Sequence, residues 1–230
     1  MTSPTENTWR HRLGRNPVWR IASTLWVLAL MVLQPLLAIP FVFLFLWLSG
    51  LGPRTLGLGA PPSRLSAIGL GLIAALILQG INRLAVLPAL AVIVPNPDTA
   101  AWTLGLAPGA WYMLLIFIPI AIVSAGFGEE LAARGYALNT FARMMDDTRP
   151  ARWIAMGLVA VLFGLAHFYQ GPLGTAHAIW MGLCLGGLYL THRSLWTAIT
   201  AHAAYNICTA VLIVSGALEQ LYAIAPFTRI

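Results

Sequence analysis

Two glutamates and an arginine, Glu129, Glu130 and Arg134 in the stretch GEELAARG, directly follow one of the most apolar runs in the chain, AWYMLLIFIPIAIVSAGF. Ionisable side chains at hydrocarbon depth are costly, and are kept where they pair with each other or carry function. Arg134 lies four residues after Glu130, one helical turn away on the same face, so a carboxylate–guanidinium bridge forms within the helix. Glu129 is turned about 100° from Glu130 on an α-helix, so that bridge does not consume it. A partly desolvated carboxylate beside a second one is suited to general-base work near neutral pH.

Three further groups join it from later segments. His167 closes FGLAHF, one turn after Phe163, and His202 and Asn206 lie one turn apart in AHAAYN. A lone helix histidine is more often a satisfied core residue than a functional one. An Asn beside a His within hydrocarbon is harder to assign to the core, because each needs partners there. One carboxylate, two imidazoles and one carboxamide on three helices suffice to hydrolyse a peptide bond. Glu129 and an imidazole activate a water, while the second imidazole and the amide N–H hold the oxyanion. The same set could bind a metal, since two His and one Glu form a known zinc site. The signature H-E-x-x-H of soluble zinc proteases is absent. The other ionisable groups within apolar segments are Arg83 and His177. With no partner near it in sequence, His177 reads as interfacial or structural.

These residues need helices to position them. The chain has 230 residues, 59% hydrophobic and 9% charged, against about a quarter charged in soluble domains. Its apolar stretches are continuous rather than alternating, which indicates transmembrane helices and not a barrel. The expected fold is an all-α polytopic bundle of about six or more spans, with the active site between the later helices. The spans fall near 22–48, 65–94, from 109 through GEELAARGYALNTFARM, 152–169, 174–191 and 195–216, with Pro35 and Pro40 as kinks in the first. VPNPDTAAWTLGLAPG reads as an irregular loop, and ALEQLYAIAPFTRI as an interfacial helix. No internal repeat or second domain is visible, so residues 1–230 read as one integral membrane domain.

The net charge is +6 and every basic residue is an arginine. The arginines sit in the N-terminal tail and between apolar runs, a topology signal and not a nucleic-acid face. Those of 141–152 and Arg193 mark cytoplasmic connections. The N-terminal tail (Arg10, Arg12, Arg15, Arg20) and the first loop (Arg54, Arg64) carry the same mark, and one plain crossing between them cannot satisfy both. Cys184 and Cys208 form no disulfide or metal pattern and read as small buried residues.

The order E-E-x-x-x-R (Glu129, Glu130, Arg134), F-x-x-x-H (Phe163, His167) and H-x-x-x-N (His202, Asn206) on successive helices resembles the CPBP family of CAAX-processing and bacteriocin-processing (Abi-type) membrane proteases. WMGLCLGGLYLTHRSLWTAITAHAAYN is similar to that family's closing segment, and the resemblance covers about residues 115–210. It implies an intramembrane endopeptidase acting on a membrane protein or peptide within the lipid bilayer. In it Glu129 and His167 activate the water, His202 and Asn206 hold the oxyanion, and Glu130 and Arg134 support them. Both a metalloprotease with a divalent ion such as Zn2+ on Glu129, His167 and His202, and a metal-free glutamate mechanism, are attributed to the family. Ala133 departs from the aromatic residue common before the arginine. A non-catalytic binding or bacteriocin-immunity protein of the same fold is the alternative. The lysine-free, arginine- and alanine-rich usage points to a bacterial inner membrane.

Overall fold

The computed structural model describes residues 6–59, 63–94, 106–218 and 220. Most of the loop expected at 94–109 and of the tail expected at 217–230 lies outside the described residues. The described chain is an all-α bundle, as the continuous apolar runs require. Its elements are α1 (Glu6–Arg15), α2 (Pro17–Leu33), α3 (Pro35–Leu48), α4 (Arg64–Ile93), α5 (Trp111–Met144), α6 (Arg149–Ala166), α7 (Phe168–His192) and α8 (Leu195–Val214). Among the described residues α4 to α8 are the five helices long and apolar enough to cross a membrane. The count becomes six if α2 and the end of α1, bent by 75° from each other, are taken as one span.

The first apolar run is not a single span. Pro35 forces the residue before it out of helical geometry, and Gln34 is extended at φ −164° and ψ 110°. The chain doubles back there. Trp19 packs edge-on to Phe45 and Trp26 to Phe41, and the Trp19 indole N–H donates to Ser49 Oγ at 2.9 Å. At 17 and 14 residues the two arms are about 25 and 21 Å long, short of a hydrocarbon core of about 30 Å. This hairpin places the N-terminal tail and the first loop at the same end of the bundle, which removes the conflict in the arginine pattern.

That end is held together by contacts between distant segments. Arg20 donates to the Arg143 carbonyl at 3.0 Å, the Leu195 amide donates to the Gly57 carbonyl at 3.1 Å, and the Trp196 indole donates to the Leu58 carbonyl at 3.1 Å. The same end therefore carries the connections marked by Arg54, Arg64, Arg143, Arg149, Arg152 and Arg193, the arrangement expected of a cytoplasmic face.

α8 is central, packing on α4, α5 and α7. With little hydrophobic force between helices inside lipid, small residues let backbones approach closely. Gly71 of α4 shows how close: an added Cβ would stand 2.6 Å from Thr200 Cβ and 2.8 Å from the Thr197 carbonyl oxygen. Gly71→Ala is expected to destabilise the bundle by about 1–3 kcal/mol, because the contact is with backbone as well as side chain. Chemical unfolding in detergent measures it, and an unchanged midpoint would exclude this crossing as a tight one.

α5 departs from the expected α-helix. Ala121–Glu129 and Leu131–Leu138 are wound as π-helix, a wide form with i→i+5 bonding that concentrates at functional sites. Successive side chains diverge less on the wider turn. The two adjacent glutamates therefore lie on neighbouring faces, at the most buried stretch of the helix.

Candidate functional site

Glu130 is fully buried, with a side chain 0% exposed. Its Oε1 accepts from Arg134 Nη1 at 2.8 Å, the bridge expected from the four-residue spacing. The guanidinium is fixed from two more sides. Arg134 Nη2 donates to the Gly182 carbonyl of α7 at 3.2 Å, and Cζ lies 4.5 Å from the centre of the Phe163 ring of α6. One arginine thus ties α5 to α6 and α7 through a carbonyl and a cation–π contact.

The same Glu130 Oε1 lies 2.8 Å from His202 Nδ1. A carboxylate accepts, so Nδ1 carries the hydrogen and Nε2 is the ring atom left for the cavity. Glu130 therefore orients His202 across two helices as well as being neutralised by Arg134. The spacing of residues gave no sign of this pair, which is purely tertiary.

Glu129 faces a different partner. Its side chain is 14% exposed, and its Oε2 lies 3.9 Å from His167 Nε2. That is too long for a hydrogen bond and short enough for one water to bond to both. Glu129 Oε2 is itself buried and accepts no hydrogen bond from the described residues. His167 sits where α6 ends. Its Nδ1 lies 2.8 Å from the Phe163 carbonyl, an acceptor only, so Nδ1 carries the hydrogen and the Nε2 lone pair is turned toward Glu129. The Phe163 ring lies 4.6 Å from the His167 ring and 6.2 Å from that of His202, so it spaces the two imidazoles.

Glu129, Phe163, His167, His202 and Asn206 line one cavity of about 540 Å³. It is large enough for several residues of an extended peptide, and Gln34 at the tip of the hairpin also lines it. Ser124 Oγ of α5 donates to Gln34 Oε1 at 3.4 Å, and Gly128 packs so closely on Pro35 that an added Cβ would lie 3.0 Å from its carbonyl oxygen. The hairpin tip is thus seated beside the first glutamate.

The three residues that a metal would need are not gathered as a ligand set. Among the described residues no three His, Cys, Asp or Glu side chains stand close enough to hold one ion. This geometry does not fit a resident zinc ion.

The structure also adds residues to the site. Arg83 of α4, together with His177, Tyr205 and Thr209, lines the same cavity. His177, expected at an interface or in a structural role, has Nε2 3.3 Å from the Tyr205 hydroxyl. The signal for this wall was Arg83, an ionisable group inside an apolar span that donates to Thr209, 126 residues away.

Residues 110–208 match the family model of the Rce1-like type II CAAX prenyl endopeptidases. No curated protein and no solved structure matched the chain.

Proposed function

We propose, for a chain whose residues 110–208 belong to the CAAX protease family, that it hydrolyses a peptide bond of a membrane-associated protein or peptide by a glutamate-activated water. The observation that carries this reading is the facing pair Glu129 Oε2 and His167 Nε2, 3.9 Å apart on the cavity wall. A water bonded to both donates one hydrogen to each. Glu129 takes a proton as the water oxygen adds to the carbonyl carbon. The oxyanion is met by the Asn206 amide N–H and by His202, whose protonated form presents Nε2–H while Glu130 holds Nδ1–H. As the C–N bond breaks, the proton held by Glu129 passes to the leaving nitrogen, and the carboxylate is restored. Glu130 and Arg134 are positioning residues, because they act through His202 and the helix contacts. The composition supports a bacterial inner membrane as the setting.

His167→Ala tests the assignment in purified protein reconstituted with a membrane peptide. Loss of one arm of the water site is expected to lower kcat by about 10²-fold or more, with little change in thermal midpoint. Full activity in this variant would remove His167 from the mechanism. Activity is expected to persist after chelation; loss on chelation and return with zinc would point to a metal-dependent form of the reaction. Purified wild type that binds peptides without cutting any would favour the non-catalytic, immunity-type reading.

A further inference from the structure

The helices around the cavity start or finish at the arginine-rich face, so the depth of the site follows from counting residues along them. α6 begins there at Arg149 and is 18 residues long. His167 at its end therefore stands about 27 Å along the helix from that face, and a hydrocarbon core is about 30 Å thick. Glu129, 3.9 Å from His167, shares that depth. Among the described residues, the lining positions nearest the arginine face are Glu129 on α5, Phe163 on α6, Met181 on α7 and His202 on α8.

Between these positions and the arginine face the bundle is filled. Every residue of α5 from Glu130 to Thr140 is buried. Arg134 closes the space between α5, α6 and α7 through the Gly182 carbonyl and the Phe163 ring. Nearer the face, Asn139 Nδ2 donates to the Tyr189 hydroxyl at 2.6 Å, and that hydroxyl donates to the Leu56 carbonyl at 3.4 Å. The first loop is thereby tied over the floor of the cavity.

The opposite rim is open. Val32 at the hairpin tip, Ile120 on α5 and Tyr169 at the turn into α7 line the cavity, and are 47, 51 and 58% exposed. The hairpin leaves this opening because its arms rise from the arginine face and stop short of the far one. The Tyr169 ring stacks on that of His167, with centres 5.9 Å apart. Two aliphatic side chains and one aromatic ring with a polar tip suit an apolar chain lying in lipid near its boundary with water.

We propose that the cavity takes its substrate from the non-cytoplasmic side: a peptide or membrane segment whose cleaved bond lies in the leaflet away from the arginine face. Chain ends presented from the cytoplasm meet the filled floor and are not substrates. The proposal rests on the endopeptidase reading above and names the class of substrate for that same site.

Sidedness tests it. Wild-type protein with an N-terminal affinity tag is reconstituted at low density in vesicles, and intact vesicles are sorted on the tag. Captured vesicles turn the arginine face outward, and unretained ones turn the far face outward. A fluorogenic apolar peptide, with a fatty acyl chain at one end and aspartates at the other, is added outside, where its charges keep it in the outer leaflet. Per protein, unretained vesicles are expected to cleave it about tenfold or more faster than captured ones, and detergent should abolish the difference. Tyr169→Cys, combined with Cys184→Ala and Cys208→Ala, reads the open side without cleavage. A membrane-impermeant maleimide should label it in unretained vesicles only. Equal cleavage by the two populations, or faster cleavage by captured vesicles, overturns the proposal and leaves the endopeptidase reading standing. Labelling confined to captured vesicles overturns it whether or not anything is cut. Labelling as expected, with no cleavage even in detergent, would sink the endopeptidase reading and leave the open side in place.

Discussion

Glu129→Gln is expected to lower the rate of peptide cleavage by about 10³-fold or more, with the protein still folded and the cavity still formed. The substitution is nearly isosteric and keeps an oxygen on the cavity wall, but a carboxamide has no basic oxygen to take the proton from water. It also removes a charge that no hydrogen bond from the described residues engages at Oε2, so little stability is lost with it. The measurement is single-turnover cleavage of a membrane peptide, read beside the thermal midpoint of the same sample. A variant that keeps more than about a tenth of wild-type activity would show that another group is the base.

Arg134→Met should produce the largest loss of stability, about 3–5 kcal/mol, because it strips the counter-charge from a carboxylate that is 0% exposed. It also empties the contacts to the Gly182 carbonyl and the Phe163 ring, so three helices lose a common anchor. Arg134→Lys is not expected to restore the fold fully, since a point charge cannot reach carboxylate, carbonyl and ring together. Pairing Arg134→Met with Glu130→Leu should recover part of the stability, as buried ion pairs replaced whole often do. That double variant should remain inactive, because His202 has lost the oxygen that orients it. Unfolding in detergent and the cleavage assay read the two effects separately. A stable single variant would mean that Glu130 is not held ionised by Arg134.

Parts of this site can be read in the chain itself. Apolar length gives the bundle and its later spans, and the four-residue step from Glu130 to Arg134 gives the bridge, because both are local properties of a helix. The join between Glu130 and His202 crosses 72 residues, and local spacing does not encode the choice of one glutamate over its neighbour. That choice depends on the wide winding of α5, which sets the direction in which each carboxylate leaves the helix. Hydropathy also passes smoothly through residues 22–48, so it does not reveal the turn at Gln34. The pair Gln34–Pro35 and the arginines on both sides of the run were the available signs. The cavity wall at Arg83 and Thr209 is likewise tertiary: one arginine in an apolar span marks a site without saying which helix completes it.

The doubled-back α2 and α3 also bear on how the chain enters the bilayer. α2 starts and α3 finishes beside arginines at one face, so no arginine from Arg10 to Arg64 has to be carried across lipid. Among the described residues α4 is the next helix after the hairpin that is long and apolar enough to cross a membrane. The hairpin needs only to partition its apolar arms from the face on which it is made, and it finds its depth where Gly128 lets Pro35 dock. Insertion of this segment can thus follow assembly of the helices behind it, and the cavity that holds Glu129 gains a wall without a further crossing.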